Sequence, residues 1–138
     1  MPEPLIVARD LVKRFGDFTA VDGIDVEVRR GEAFGFLGPN GAGKSTTVRM
    51  LTTLLRPTGG RACVAGFDVV TQAPQVRRKI GVALQEAALD PLMTGRELLE
   101  LQGALHALAR AQARARARDL LDRVDLEDAA DRRLATYS

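Results

Sequence analysis

Between residues 24 and 29 the chain alternates strictly. Ile24, Val26 and Val28 are apolar, and Asp25, Glu27 and Arg29 are charged. A period of two predicts a half-buried β-strand with one wet face. Residues 5–12 also read as a strand, mixed in polarity and suited to a sheet edge, with Arg14, Phe15, Gly16 and Asp17 as the turn after it. Arg30, Gly31 and Glu32 make the next turn. Residues 33–37, Ala-Phe-Gly-Phe-Leu, are a continuous apolar run, which suits a strand buried on both faces of a parallel sheet. From Lys44 the period changes. Val48, Leu51 and Leu55 recur at helical spacing, and Pro57, Gly59 and Gly60 stop that helix. Residues 62–65 predict a short strand, 74–79 a short helix, and 80–84 a buried strand followed by Gln85. Thr94-Gly95-Arg96-Glu97 has the spacing of a capping box, in which the Thr side chain and the Glu side chain each serve the other's backbone N–H. Leu98, Leu101, Leu105 and Leu108 then form one apolar stripe, and residues 109–124 continue helically to Leu120, Leu121 and Val124. The mixture of strands and helices places the chain in the α/β class.

Composition narrows the picture a little. The chain has 138 residues, 46% hydrophobic and 28% charged, values close to those of ordinary globular domains. Its net charge is +2, its basic residues are scattered, and it has one Tyr, five Phe and no Trp. That footprint argues against a nucleic-acid-binding surface. A single cysteine, Cys63, rules out an internal disulfide and fits a reducing compartment; without metal-ligand companions it reads as a small buried residue. No apolar run is long enough to cross a bilayer, so work at a membrane would need another chain to span it.

The chemistry is concentrated in one segment. Gly38-Pro39-Asn40-Gly41-Ala42-Gly43-Lys44-Ser45 fits G-x-x-x-x-G-K-[ST], and a chance match in a chain this long has odds on the order of 0.5% at background glycine frequency. Backbone N–H groups can ring a triphosphate without the cost of ordering side chains, and glycines let that backbone approach closely. The following helix adds partial positive charge at the same place. Lys44 supplies a full charge toward the β- and γ-phosphates. Ser45 offers a hydroxyl to Mg²⁺, which prefers hard oxygen ligands, and Thr46 can donate to a phosphate. This much predicts a nucleotide; it does not distinguish kinase, GTPase or transporter motor.

Residues 11–25 and the run from Gly31 to Thr47 strongly resemble the ATP-binding subunits of ABC transporters, with wording similar to that of bacterial drug exporters of the daunorubicin-resistance type. Arg56 to Gly60 with Gly66 to Val69 resembles the family's post-helix turn and antiparallel strand. Residues 80–85 resemble the strand that ends in the Q-loop glutamine, and residues 89–98 the entry to the helical subdomain. Leu134 to Ser138 resembles the run into the signature sequence. The resemblance implies a P-loop NTPase core with an N-terminal antiparallel β-subdomain in residues 1–85, the start of a helical subdomain in residues 86–138, and an incomplete sheet. It implies ATP and Mg²⁺ as cofactors, with Phe15 stacking on adenine where the family more often has Tyr, and Gln85 reaching Mg²⁺ and the attacking water. On the residues alone, Phe15 could equally pack in the strand–turn core, and Gln85 could be a plain polar strand end.

The same resemblance implies a membrane-spanning permease partner, a second ATPase subunit in a homodimer, and a peripheral position on the cytoplasmic face of the cell membrane. The family's acidic strand, catalytic Glu and switch histidine have no counterpart after Gln85. Glu86 and Asp90 do not end an apolar strand, and His106 falls on a helix of the helical subdomain, where it reads as a surface residue. Ser138 would open the signature. The chain is therefore expected to be the leading part of a longer protein that is an ATPase at full length, this part alone binding nucleotide without hydrolysing it. A non-transport, translation-type ATPase and a hydrolysis-dead nucleotide binder are the alternatives. Arg110, Arg114 and Arg118 share a helix face that reads as solvated.

Overall fold

A computed structural model describes residues 4–83 and 89–137. The strands are β1 (Pro4–Phe15), β2 (Phe18–Arg29), β3 (Gly59–Val64) and β4 (Phe67–Asp68). The helices are α1 (Lys44–Leu51), α2 (Ala73–Arg77), α3 (Gly95–Leu105) and α4 (Arg110–Arg123), followed by 3₁₀ turns at Glu127–Ala129 and Leu134–Thr136. Contacts divide the chain into two units, Met1–Val82 and Ala83–Ser138.

The first unit is built on a four-stranded antiparallel sheet in the order β2-β1-β3-β4. The alternation in the sequence explains its wet and dry faces. Ala8 stands opposite Val26 and Ala62, and Ile6 opposite Val28 and Val64; all but the partly buried Ile6 lie in the core. The next core residue on β1 is Leu11, three positions after Ala8, so the period of two is broken. A bulge between them restores the phase. Asp10 takes φ 48° there, and its N–H donates to Asp25 Oδ1 at 2.7 Å. Gly60 crosses this bulge at φ 73°, and a Cβ on it would overlap the Asp10 carbonyl. Asp68 ends β4 and accepts from the N–H groups of Val70 and Thr71, both at 2.8 Å. Those two donors hold its carboxyl below the ordinary range.

Several expectations change. β1 is interior, flanked by β2 and β3, because its polar Arg9 and Asp10 face solvent or sit in the bulge. It also runs on to Phe15, so the turn shrinks to Gly16 and Asp17, with Gly16 at φ 56° as tight hairpins favour. α1 ends at Leu51, four residues early. Thr53 adopts φ 65°, its N–H donates to Met50 O (3.1 Å) and that of Leu54 donates to Arg49 O (2.9 Å), a left-handed C-terminal cap that closes the helix. Residues 33–37 are not a strand at all, and neither are 80–83. Among the described residues nothing pairs with their backbone as a strand, and an apolar run without neighbouring strands has no ladder to join. Phe34 and Leu37 are 46% and 96% exposed. The sheet is thus incomplete, as expected, and among the described residues it holds antiparallel strands alone. Cys63 is half-buried and free.

The second unit packs α3 on α4. The Thr94 box is formed: Thr94 N–H donates to Glu97 Oε2 (2.8 Å), and Glu97 N–H to Thr94 Oγ1 (3.2 Å). The leucine stripe is not the buried face. Leu101, Leu105 and Leu108 are exposed, Leu105 by 71%. Contact instead runs through small residues, Gly103 lying so close to Ala113 that a Cβ would collide with it. Ala113, Ala117 and Leu121 form α4's buried side. Two helices can bury only one face each against the other, and the small residues permit the closer approach. The closing turns return to the start of α3: Leu134 N–H donates to Met93 O, Arg96 N–H to Ala130 O, and Tyr137 Oη to Ala129 O. Arg96 pairs with Asp131 at 2.7 Å, and its guanidinium holds that carboxyl below its ordinary value.

Candidate functional site: the glycine turn at the start of α1

α1 begins without a side-chain cap. Its N-cap is Gly43, left-handed at φ 82°. Two residues earlier Gly41 is also left-handed, at φ 85°. These two reversals keep the chain from continuing as a regular turn. A Cβ on Gly43 would overlap the Ala20 carbonyl and crowd Val21, so the loop is seated directly on the backbone of β2. Inside the loop, Ala42 N–H donates to Pro39 O at 3.2 Å. Thr47 anchors the other side: its N–H and its hydroxyl both donate to Gly43 O, at 2.8 and 2.9 Å. Thr47 is buried, and the sequence reading did not single it out. The signal available was a hydroxyl four residues beyond the last glycine, the spacing of a back-bond to an i−4 carbonyl.

With those bonds assigned, the N–H groups of Gly41, Gly43, Lys44, Ser45 and Thr46 have no acceptor among the described residues. They belong to one exposed turn and the first turn of a helix, where the helix dipole adds positive character. Lys44 extends back over the loop, its Nζ donating to Gly38 O (2.6 Å) and Pro39 O (2.7 Å). The ammonium is therefore held at the loop and not swung into solvent. Ser45 is exposed in the first helical turn, next to half-buried Thr46. Such a donor set suits an anion with several oxygens.

Phe15 ends β1 and keeps 49% of its surface exposed, with Lys13 Nζ 5.0 Å from its ring centroid. Behind the loop, a cleft of about 560 Å³ separates β2 from residues 34–37 and reaches Lys44 and Thr47. Phe34 and Phe36 meet edge to face on its wall, centroids 5.2 Å apart. Gln85, Glu86 and Ser138 lie outside the described residues. Asp90 is exposed and accepts from Leu92 N–H (2.9 Å), a local turn bond. His106 is the exposed C-cap of α3, and Arg114 pairs with Glu100 at 3.6 Å on an exposed face. Among the described residues no group of three or more His, Cys, Asp or Glu lies together, and no helix is long and apolar enough to cross a membrane.

The antiparallel sheet, the glycine turn resting on it and the helix that follows belong to an ATP-binding cassette domain. The chain belongs to the ABC transporter family, which it matches over residues 21–138. It is 51% identical over 138 residues to a daunorubicin resistance ATP-binding protein of Streptomyces coeruleorubidus, a match that covers 100% of this chain and 44% of that protein. A daunorubicin/doxorubicin resistance ATP-binding protein of Streptomyces peucetius is 50% identical over 137 residues, 99% of this chain and 42% of the relative. The chain thus spans less than half the length of these curated relatives. Among solved structures, an ATP-binding subunit of an ABC transporter superposes with a TM-score of 0.82 at 27% identity, over 97% of this chain and 56% of the other. CbiO1 of Clostridium perfringens, part of the ABC transporter complex CbiONQ, also gives 0.82, at 23% identity over 99% and 56%; that likeness speaks for the fold alone.

Proposed function

We propose that this chain is the leading part of the motor subunit of an ABC exporter, one that binds ATP at the Gly38–Thr46 loop and, in the full-length protein, couples ATP hydrolysis to efflux of a drug or antibiotic. The observation that carries the nucleotide reading is the set of N–H groups without acceptors in that loop, closed over by Lys44 Nζ. The amides of Gly41 to Thr46 cradle the phosphates. Lys44 exchanges its two carbonyl partners for β- and γ-phosphate oxygens, which gives it a stronger, charge-assisted bond. The Ser45 hydroxyl is one protein ligand for Mg²⁺, in keeping with a cation that takes few protein oxygens and completes its shell with phosphate and water. When bound, the ion would supply charge neutralisation for phosphoryl transfer, with the Ser45 hydroxyl as the described side chain that would hold it. Phe15 offers its exposed face to adenine, and the family resemblance gives Gln85 the role of binding the metal and the water.

Efflux as the output rests on the names of relatives at about half identity, both drug-resistance ATP-binding proteins. The motor works with a membrane-spanning permease subunit and a second ATPase subunit, peripherally on the cytoplasmic face of the membrane. Hydrolysis belongs to the full-length protein. Alanine at Lys44 is expected to weaken ATP binding about tenfold or more, roughly 1.4 kcal/mol, in a fluorescent-nucleotide titration. Unchanged affinity would remove the phosphate role and the motor reading with it.

A further inference from the structure

We propose that Lys13 is a positioning residue for the nucleotide base, setting the Phe15 ring so that one face carries a cation and the other is left for adenine. The inference rests on the reading of Phe15 as the base-stacking residue. Lys13 Nζ stands 5.0 Å from the ring centroid, within the range at which an ammonium is attracted by the ring's negative face. The same Nζ donates to Arg56 O at 2.8 Å, so the cation is not free to leave the ring for solvent. Arg56 is itself fixed to the end of β1. Two residues on, Thr58 N–H donates to Val12 O (2.9 Å), and Thr58 Oγ1 accepts from Arg14 N–H (3.0 Å) while donating to Val12 O at 3.2 Å.

Three consecutive residues of β1, Val12 to Arg14, are thereby tied to the loop that leaves α1. That helix begins at the glycine turn, so the clamp joins the base-binding ring to the element that holds the phosphates. A ring with an ammonium over one face can stack a flat base only on the other, which fixes the side from which the base enters. The cation also draws electron density from that ring, which favours stacking of an electron-rich base.

The test compares ATP with inorganic tripolyphosphate, which presents the phosphates and no base, on the full chain carrying Lys13→Met or Lys13→Arg. Methionine keeps the stem and loses the charge. Lys13→Met is expected to weaken ATP about two- to fivefold, to leave tripolyphosphate unchanged, and to be restored by Lys13→Arg. In a Phe15→Ala background the Lys13→Met effect on ATP is expected to vanish. Equal weakening of both ligands, no change in either, or an undiminished effect without the ring would overturn the role of Lys13 alone. If the unaltered chain binds neither ligand, the nucleotide reading fails, and this inference with it.

Discussion

Gly41 and Gly43 look alike in the sequence, and the fold separates them. Both have φ near 80°, where an alanine costs roughly 1–2 kcal/mol. Around Gly41 there is open space; at Gly43 a Cβ would meet the Ala20 carbonyl. Gly43→Ala is therefore expected to destabilise the first unit by clearly more than Gly41→Ala in urea denaturation, and to shift the loop off β2. Equal losses would mean that the loop does not depend on its seat. The glycine spacing was legible because left-handed turns select for it. The contact with Ala20 was not, since it joins residues more than twenty positions apart. Thr47 illustrates the same limit: its two hydrogen bonds to Gly43 O are local, yet its burial depends on what packs over α1.

At the scale of elements, helix starts were the most legible features and helix faces the least. Thr94 caps α3 through bonds within four residues, so the sequence pattern contains the whole device. α4 has half of the same device: Gln112 Oε1 accepts from Ala109 N–H at 3.2 Å, but Ala109 has no side-chain oxygen to return the bond. Thr94→Ala is expected to cost about 1 kcal/mol and Ala109→Ser to contribute up to about the same. Opposite shifts of thermal midpoint, followed by circular dichroism, would check both; a neutral Ala109→Ser would show that Gln112 alone suffices. The leucine stripe of α3 is legible as apolar in the sequence, yet it is not the buried face. Periodicity reports that a face is apolar, and only the partner, here an alanine-lined helix, decides which face is covered.

For the whole molecule, the feature that matters most is the apolar segment at 33–37. It precedes the glycine turn, it forms no strand, and Leu37 is almost fully exposed. Unpaired backbone beside exposed apolar side chains favours association with other chains. The full chain is expected to associate with rising concentration in light scattering, and Leu37→Lys to reduce that association while leaving the sheet intact by circular dichroism. Association unaffected by Leu37→Lys would place the contact elsewhere, the exposed leucines of α3 being the next surface to alter.

By itself the sequence determined what depends on neighbours within a few residues: the glycine turn and its lysine, the alternation of β2 and the cap of α3. The tertiary structure alone decided that β1 lies inside the sheet, that residues 33–37 stay unpaired, and which side of α3 is dry. The physical reason is one of range. A cap or turn closes its hydrogen bonds within its own segment, whereas a strand exists only when distant backbone supplies the other half of its ladder, and an apolar face becomes a core only when something arrives to exclude water from it.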